Sequence, residues 1–254
     1  RALTLGLALN KARVKEILNY YDIPTALHFI STSPSKLKDE GYSKLKDKFP
    51  LIVKPSREDA SIGIENNSIV HDEAQLKTRI EFVLDRHKQP ALVEQFIDGR
   101  EINVSVVGNV IKDINDLIVF PISEIDFSAL PSDMPKIVSY NSKWMYNTVE
   151  FAGTKAVCPA KNLSPELEAL IQKTARTVYH LVGASDYARV DFRVKDGVPY
   201  VLELNPNPDI SSDVDEDTGF TRSGKAYGWT YEQMISKVID FAWERWQRIF
   251  AEKN

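Results

Sequence analysis

Two carboxylates interrupt otherwise apolar segments in the stretch ARVDFRVKDGVPYVLELNPN, residues 188–207. A carboxylate on a half-buried strand is costly unless it is paired or binds a cation, so Asp191 and Glu203 are candidates for chemistry. Residues two apart on a strand face the same side, which puts Arg189 with Asp191 and Asn205 with Glu203. If the two faces coincide, the hairpin presents oxygen ligands for a hard cation, naturally Mg²⁺, beside a guanidinium.

The same residues also fit a structural arrangement, in which arginine–carboxylate pairs join neighbouring strands on a solvated sheet face. Arg193 shares the face of Arg189 and Asp191 and would belong to such a set. The spacing alone does not decide between a metal site and these pairs.

Lys54 interrupts the apolar run Leu51–Val53 and is followed by Pro55 and a Ser/Gly-containing loop. A lysine at a strand end beside backbone N–H groups can bind phosphates, although the P-loop pattern is absent. The alternative is a lysine that only reaches solvent. Glu94 and Glu101 flank a short linker where backbone groups can bind a base and an acid can bind ribose hydroxyls; two surface glutamates are the alternative.

The elements that must position these residues follow from hydrophobic periodicity. We predict helices over residues 10–21, 73–87, 165–182 and 231–250. We predict strands over residues 49–55, 68–70, 91–97, 101–107, 187–194 and 199–204, with 110–120 pairing back onto 101–107. The stretches 126–159 and 205–230 lack periodicity, so we expect them to be mainly loop.

Composition limits the class of protein. The 254 residues are 43% hydrophobic and 27% charged with a net charge of −4, which is typical of a soluble globular protein and excludes disorder, collagen and coiled coil. The sequence has no apolar run long enough to span a bilayer, no pattern of zinc ligands, and a single cysteine, Cys158. We therefore expect a cytoplasmic protein without nucleic-acid or membrane partners.

Taken in order, these motifs resemble the ATP-grasp superfamily, most closely the D-alanine–D-alanine ligase-like carboxylate–amine ligases. The stretches that carry the resemblance are residues 51–63, 93–104, 188–193 and 200–208. The resemblance implies an α+β ATP-grasp fold with ATP in the cleft between two α+β lobes. Residues 1–97 would form the central lobe, with lid and phosphate loop, and residues 98–254 the C-terminal lobe, with the metal and catalytic site. Family members carry a preceding α/β domain, so we expect a fragment or a processed form.

The resemblance also implies which residues bind the nucleotide. They are the phosphate lysines Lys11 and Lys54, the phosphate-loop residues Ser61 and Gly63, the adenine-binding linker Glu94, Gln95, Phe96 and Ile97, the ribose-binding Glu101, and Leu202.

For catalysis, the resemblance makes Asp191, Glu203 and Asn205 the ligands of two Mg²⁺ ions, with Mn²⁺ as the other candidate. Arg189 would neutralise the acyl-phosphate and the tetrahedral intermediate, and Lys143 resembles a lysine near the γ-phosphate. A carboxylate is a poor electrophile, so it is phosphorylated by ATP before an amine attacks. The implied activity is an ATP-dependent ligase that forms an amide or peptide bond from a small-molecule carboxylate and amine. A homodimer is compatible with the sequence.

The sequence departs from the D-alanyl ligase pattern at two places. Asp59 and Ala60 stand where that family usually has Gly and Ser. Pro208 is followed by Asp209, where the family usually has a Pro-Gly that helps hold the carboxylate of the second substrate. More acids follow Asp209, namely Asp213, Asp215, Glu216 and Asp217. Either the acceptor is not a simple α-amino acid or its amine faces these acids; a solvated acidic loop is the alternative.

Two other functions belong to different classes. An ATP-grasp phosphotransferase would release a stable phosphorylated product without an amide. A non-catalytic nucleotide-binding module would need no metal ligands, and the set Asp191, Glu203 and Asn205 speaks against it.

Overall fold

Two compact units make up the computed structural model, which describes residues 2–38, 40–111, 113–213 and 218–251. The first, here named the lysine unit, comprises Leu9–Gly99 and Asp126–Lys155. The second, here named the carboxylate unit, comprises Arg1–Ala8, Arg100–Ile125 and Ala156–Asn254.

The unit to which segment 126–155 belongs differs from the prediction, which assigned all of residues 98–254 to one lobe. It belongs to the lysine unit because it hydrogen-bonds to residues 60–64. Ser61 Oγ donates to the carbonyl of Val138 (2.8 Å), and the backbone N–H of Tyr140 donates to the carbonyl of Ile64 (2.8 Å).

The helices of the described residues begin and end as follows: α1 Ala2–Leu9, α2 Lys11–Tyr20, α3 Glu40–Ser43, α4 Glu73–His87, α5 Tyr140–Trp144, α6 Val149–Gly153, α7 Pro165–Leu181, α8 Gly219–Tyr227 and α9 Tyr231–Ala251. The predicted helices correspond to α2, α4, α7 and α9 and are confirmed. Asp72 caps α4 by accepting a hydrogen bond from the N–H of Gln75 (2.8 Å), and Ser164 caps α7.

The prediction of loop was wrong for α5 and α6 within residues 126–159 and for α8 within residues 205–230. Helix α8 buries Thr221, Ser223 and Gly224 as well as Phe220. A Cβ atom at Gly224 would lie 2.1 Å from the sulfur of Met234, so the helix packs closely through small residues. Hydrophobic periodicity cannot detect a face of this kind.

The strands are β1 His28–Ser31, β2 Leu51–Pro55, β3 Ile69–Val70, β4 Ala91–Gln95, β5 Arg100–Gly108, β6 Ile118–Val119, β7 Ser123–Asp126, β8 Lys155–Val157, β9 Asp186–Lys195 and β10 Val198–Asn205. The lysine unit contains a four-stranded sheet in the order β1-β4-β2-β3, and the other sheet has the order β10-β9-β5-β7-β8, with β6 paired to β5. The predicted return of residues 110–120 onto β5 is confirmed for Ile118 and Val119; a 3₁₀ helix at Ile114–Asp116 precedes them.

The core of the lysine unit forms where α4 covers the sheet. Leu76, Ile80 and Val83 of α4 are buried with Val53 of β2 and Val93 of β4. This packing holds the end of β2, which carries Lys54, in a fixed position.

In the carboxylate unit, α7 buries Ile171, Ala175 and Val178, and Tyr179 donates its hydroxyl to the carbonyl of Gly108 (2.7 Å). A second cluster joins Phe120 and Phe220 to Met234 at the start of α9.

Helix α9 is amphipathic, and its apolar face is only partly buried. Met234 is its one buried residue in the described part of the chain, whereas Ile239 and Trp246 are 61% and 46% exposed. Trp243 and Trp246 stack on each other with ring centroids 4.9 Å apart. Within the described ranges, none of the helices has the length and hydrophobicity needed to cross a membrane.

Candidate active site

Polar side chains form three rows across strands β5, β9 and β10. The backbone register joins Glu101–Arg193–Tyr200, Asn103–Asp191–Glu203 and Ser105–Arg189–Asn205. Apolar residues alternate with them along β5 and β9, so the three rows share one face of the sheet. The middle row brings together the two carboxylates that the sequence singled out.

A bulge in β10 makes the two carboxylates neighbours. Val201 pairs with Phe192 and Glu203 pairs with Asp191, so Leu202 is an additional residue without a Cα partner on β9. With regular pairing from the turn, Glu203 would face Val190 and point to the apolar side of the sheet. The polar faces of β9 and β10 therefore do coincide, as the metal-site hypothesis requires. They do so because of a bulge, which residue alternation does not predict.

Asp191 is held by hydrogen bonds from three residues. Arg189 donates Nε to Oδ1 (2.7 Å) and Nη2 to Oδ2 (2.8 Å). Asn103 Nδ2 donates to Oδ1 (2.8 Å), and Asn205 Nδ2 to Oδ2 (3.1 Å). Asn205 Nδ2 also lies 3.5 Å from Glu203 Oε1. These hydrogen bonds within the protein therefore fix the orientation of the Asp191 carboxylate.

Arg189 remains charged in this environment. Burial by itself would lower the pKa of the guanidinium, but the adjacent Asp191 carboxylate outweighs it, and Glu203 and Asp209 raise the pKa further. The Asp209 side chain is exposed. Of the other acids in that segment, Asp215, Glu216 and Asp217 lie outside the described residues.

The middle row offers oxygen donors of the kind that Mg²⁺ prefers. The described residues contain no group of three or more His, Cys, Asp or Glu side chains that would hold a metal by themselves. Mg²⁺ typically takes one or two protein carboxylates and completes its coordination with water and phosphate oxygens. Asp191 and Glu203, with the amide of Asn205, fit an ion that arrives with a nucleotide, and the number of ions stays a prediction.

Glu101, the predicted ribose-binding acid, forms an ion pair with Arg193 (Oε2–Nη2, 2.7 Å), and both side chains are largely buried. Its ribose-binding role stays a prediction, as does the nucleotide-binding role of the half-buried Leu202. The resemblance implied no binding role for Arg193.

In the lysine unit, Glu94 lies between two lysines. Its carboxylate oxygens are 2.5 Å from Nζ of Lys15 and 2.5 Å from Nζ of Lys54. Burial would raise the pKa of Glu94, but the two ammonium groups outweigh it and lower the pKa from 4.5 to about 2. Lys15 also donates to Thr25 Oγ1 (2.6 Å). Lys15 was missed from the sequence, although a carboxylate in a buried strand signals that a cation must lie near it.

Lys11, the other predicted phosphate lysine, is 5% exposed. Its ammonium donates to the carbonyl of Glu58 (2.7 Å) and to Asp59 Oδ1 (3.1 Å). Asp59 is one of the two residues that depart from the D-alanyl ligase pattern, and here its carboxylate contacts a lysine predicted to bind phosphate.

The predicted phosphate loop, residues 56–63, is fixed to the segment that carries α5. Besides the bond from Ser61 to Val138, the indole N–H of Trp144 donates to the carbonyl of Ala60 (3.0 Å). Gly63 has φ +75°, and a Cβ atom there would lie 2.5 Å from Pro55, so the loop requires glycine at this position. Lys143 is exposed on α5, next to Trp144.

In the predicted adenine-binding linker, two backbone donors serve the fold itself. The N–H of Gln95 donates to the carbonyl of Leu27 (2.9 Å), and the N–H of Phe96 to that of Pro50 (3.1 Å). These two groups are therefore not the ones that would contact a base. Ile97 is buried, and the roles of Glu94 and of the linker in binding adenine stay predictions.

The fold and the polar rows define the class of protein, which is that of the ATP-grasp proteins. The family model "D-ala D-ala ligase C-terminus" matches residues 19–240. The chain belongs to this family.

The similarity to individual relatives is consistent with membership of this family. The chain is 31% identical over 239 residues to a D-alanine–D-alanine ligase of Syntrophotalea carbinolica, covering 93% of this chain and 67% of the relative. It is 28% identical over 242 residues to the uncharacterized protein y4sG of Sinorhizobium fredii, covering 95% and 64%. The chain thus spans about two thirds of the length of these relatives.

The solved structures agree as well. The D-alanine–D-alanine ligase of Bacillus anthracis complexed with ATP has a TM-score of 0.71 and 26% identity, covering 99% of this chain and 70% of that one. A second structure of the same ligase has a TM-score of 0.73 and 27% identity. The predicted α+β ATP-grasp fold is confirmed.

Proposed function

We propose that the protein is an ATP-dependent ligase that joins a carboxylate to an amine through an acyl-phosphate. The observation that carries this proposal is the middle polar row with its neighbours, in which Asp191 and Glu203 adjoin the guanidinium of Arg189 and the amide of Asn205. Membership of a family of ligases supports the same reaction class.

Each described group has a task in this reaction. Asp191, Glu203 and Asn205 would hold Mg²⁺, which when bound neutralises the oxygens of the transferred phosphoryl group. Arg189 would stabilise the oxyanion that forms when the amine attacks the acyl-phosphate. Asp191 accepts from Nε and Nη2 of this guanidinium, which has five donors, so the pairing is compatible with a further contact to substrate.

The lysine unit would bind the nucleotide phosphates. Lys54 carries its charge at the end of β2, and Lys15 lies on the other oxygen of the Glu94 carboxylate. With both lysines charged, the Glu94 cluster keeps a net positive charge that attracts phosphate. Lys11, Ser61, Gly63 and Lys143 complete the proposed phosphate-binding groups.

The test measures ADP release and product formation by the purified protein, with carboxylic acids paired with amines, D-amino acids included. The double substitution Asp191→Asn with Glu203→Gln should lower turnover by a factor on the order of 10² or more. Glu244→Gln, at an exposed glutamate of α9, is the control. A double variant as active as the wild type would exclude the metal assignment. A stable phosphorylated product without an amide would replace the ligase proposal with a phosphotransferase.

We further propose that the acceptor is not D-alanine but an amine with a neutral or cationic group in place of its carboxylate. Asp209 stands where the family usually has the glycine that helps hold that carboxylate, and it is one of the charges that raise the pKa of Arg189. Two like charges about 4 Å apart repel by roughly 1 to 4 kcal/mol at water-like to surface-like dielectric values. Such repulsion discriminates between acceptors.

This proposal is tested with Asp209→Gly, which should gain activity toward α-amino-acid acceptors. Asp213→Gly, a second acid of the same segment, is the matched control and should gain none. Synthesis of D-alanyl-D-alanine by the wild type at a rate equal to that of Asp209→Gly would contradict the proposal while leaving the ligase reaction in place.

A further inference from the structure

Asn103 lies in the middle polar row, on the strand next to Asp191, and is 8% exposed. Its Nδ2 donates to Asp191 Oδ1 at 2.8 Å in a buried hydrogen bond. The resemblance gave this residue no role. The contact joins two strands, so it fixes the side chain of Asp191 from the side opposite to Glu203.

The two oxygens of Asp191 differ in how they are occupied. Oδ1 accepts two short hydrogen bonds, from Arg189 (2.7 Å) and from Asn103 (2.8 Å). A carboxylate oxygen offers about two lone-pair positions, so these donors use the capacity of Oδ1. Oδ2 accepts from Arg189 at 2.8 Å and from Asn205 at the longer distance of 3.1 Å. A cation therefore competes with a weaker contact at Oδ2 than at Oδ1.

We propose that Asn103 is a positioning residue of the metal site, which occupies Oδ1 of Asp191 and so directs a divalent cation to Oδ2, beside Glu203 and Asn205. Hydrogen bonds to a ligating carboxylate orient it, and their loss typically lowers metal affinity by 10- to 100-fold. The inference rests on the proposed function, because it assumes that the ion binds together with a nucleotide.

The experiment compares Asn103→Val with Asn103→Thr, which have nearly the same shape but differ in a hydroxyl donor. Mn²⁺ binding is measured by electron paramagnetic resonance in the presence of a non-hydrolysable ATP analogue, so no turnover is needed. We expect Asn103→Val to weaken Mn²⁺ binding by about 10- to 100-fold. Asn103→Thr should recover part of this loss, because its hydroxyl can donate toward Asp191.

A matched control lies immediately after the same strand. Asn109 Nδ2 donates to Asp186 Oδ1 (3.2 Å), so Asn109→Val also removes an asparagine–aspartate contact between residues of the β5 and β9 region. It should leave the Mn²⁺ affinity within about twofold of the wild type, whatever it does to stability.

The outcomes separate the two proposals. If the wild type binds Mn²⁺ with the nucleotide and Asn103→Val binds it equally well, the positioning role is wrong and the proposed function stands. Equal weakening by Asn103→Val and Asn109→Val would also overturn the positioning role, since it would show a general loss of structure. If the wild type binds no Mn²⁺ with nucleotide, both proposals are wrong.

Discussion

Lys54 and Arg189 should act at different stages of the reaction. Lys54→Met removes a charge that we propose contacts nucleotide phosphates in the ground state, so ATP affinity should fall about 10- to 100-fold. Arg189→Ala should leave ATP affinity nearly normal and remove product formation, because the proposed role of its charge begins once the acyl-phosphate forms. Calorimetric titration with an ATP analogue and chromatography of the products distinguish the two. Equal losses of nucleotide affinity would refute the separate roles.

The buried carboxylate of Glu94 makes stability depend on pH in acid. Its pKa is lowered from 4.5 to about 2, so the stabilisation is fully present above pH 4.5 and is lost as the pH falls toward 2. We expect the free energy of unfolding of the wild type to exceed that of Glu94→Gln by about 3 kcal/mol at pH 6, and the difference to shrink below pH 4.5. Urea denaturation between pH 3 and pH 6 measures it, with Glu81→Gln, at an exposed glutamate of α4, as control. A difference that is independent of pH would be inconsistent with the ion pairs.

Asp59 should weaken nucleotide binding, because its carboxylate contacts Lys11. The Asp59 side chain is 56% exposed, so the ion pair is screened and contributes only about 0.2 to 1 kcal/mol. Asp59→Gly should therefore raise ATP affinity by about 1.4- to 5-fold, and the gain should diminish in high salt. Unchanged or weaker ATP binding by the variant would show that Asp59 does not compete with phosphate for Lys11.

The sequence singled out most residues of the candidate site but few of their partners, and the roles of these residues stay predictions. Asp191 and Glu203 were found because acids in apolar strands are costly and therefore noticeable. Lys15 and Asn103 were not found, because their significance depends on contacts with Glu94 and Asp191, which lie far away in the chain. The alternation of Glu101, Asn103 and Ser105 along β5 was a usable signal for one polar face. The residues that these three side chains contact can be identified only once the register with β9 is known.

At the scale of elements, the bulge in β10 leads to a prediction about chain length. Deleting Leu202 removes the additional residue and leaves Val201 opposite Phe192 and Glu203 opposite Asp191. We expect the deletion variant to fold. In the presence of an ATP analogue, it should bind Mn²⁺ with the same affinity as Leu202→Ala, the variant that controls for loss of the leucine side chain. Loss of metal binding in the deletion variant alone would show that the twist of the bulge, and not only its register, positions Glu203.

Elements were predictable where periodicity and caps coincide. Helix α4 has Asp72 at its N-terminus and a regular apolar face, and its predicted and observed bounds agree. Helices α5 and α6 have five residues each, too few for a periodic pattern, and they are stabilised by contacts such as that of Trp144 with Ala60. Helix formation in such short segments depends on tertiary packing, which sequence patterns do not contain.

At the scale of the whole molecule, nucleotide and metal should stabilise the fold together. A ligand at 100 times its Kd adds about 2.7 kcal/mol. For a chain of this size, that corresponds to a rise in Tm of roughly 5 to 10 °C. Mg²⁺ with ATP should produce this shift, and EDTA should remove most of it, as judged by differential scanning calorimetry. Lys54→Met should show a smaller shift at the same concentrations. A full shift in EDTA would mean that ATP binds without a metal.

The assignment of segment 126–155 was the main difference at this scale. The hydrogen bonds that attach it to the lysine unit join residues 77 and 84 positions apart, from Ser61 to Val138 and from Trp144 to Ala60. Local patterns can indicate that a segment is irregular, but they do not indicate which of two cores it joins.

The indole of Trp144 is an intrinsic fluorophore, and its hydrogen bond to the carbonyl of Ala60 makes it a reporter on the neighbouring loop. The other three tryptophans, Trp229, Trp243 and Trp246, lie in the carboxylate unit, so Trp144 is the indole attached to the predicted phosphate loop. Indole emission changes with hydrogen bonding and hydration. Subtracting the spectrum of Trp144→Phe from that of the wild type would isolate its light, and the state of this loop could then be followed in real time without any label.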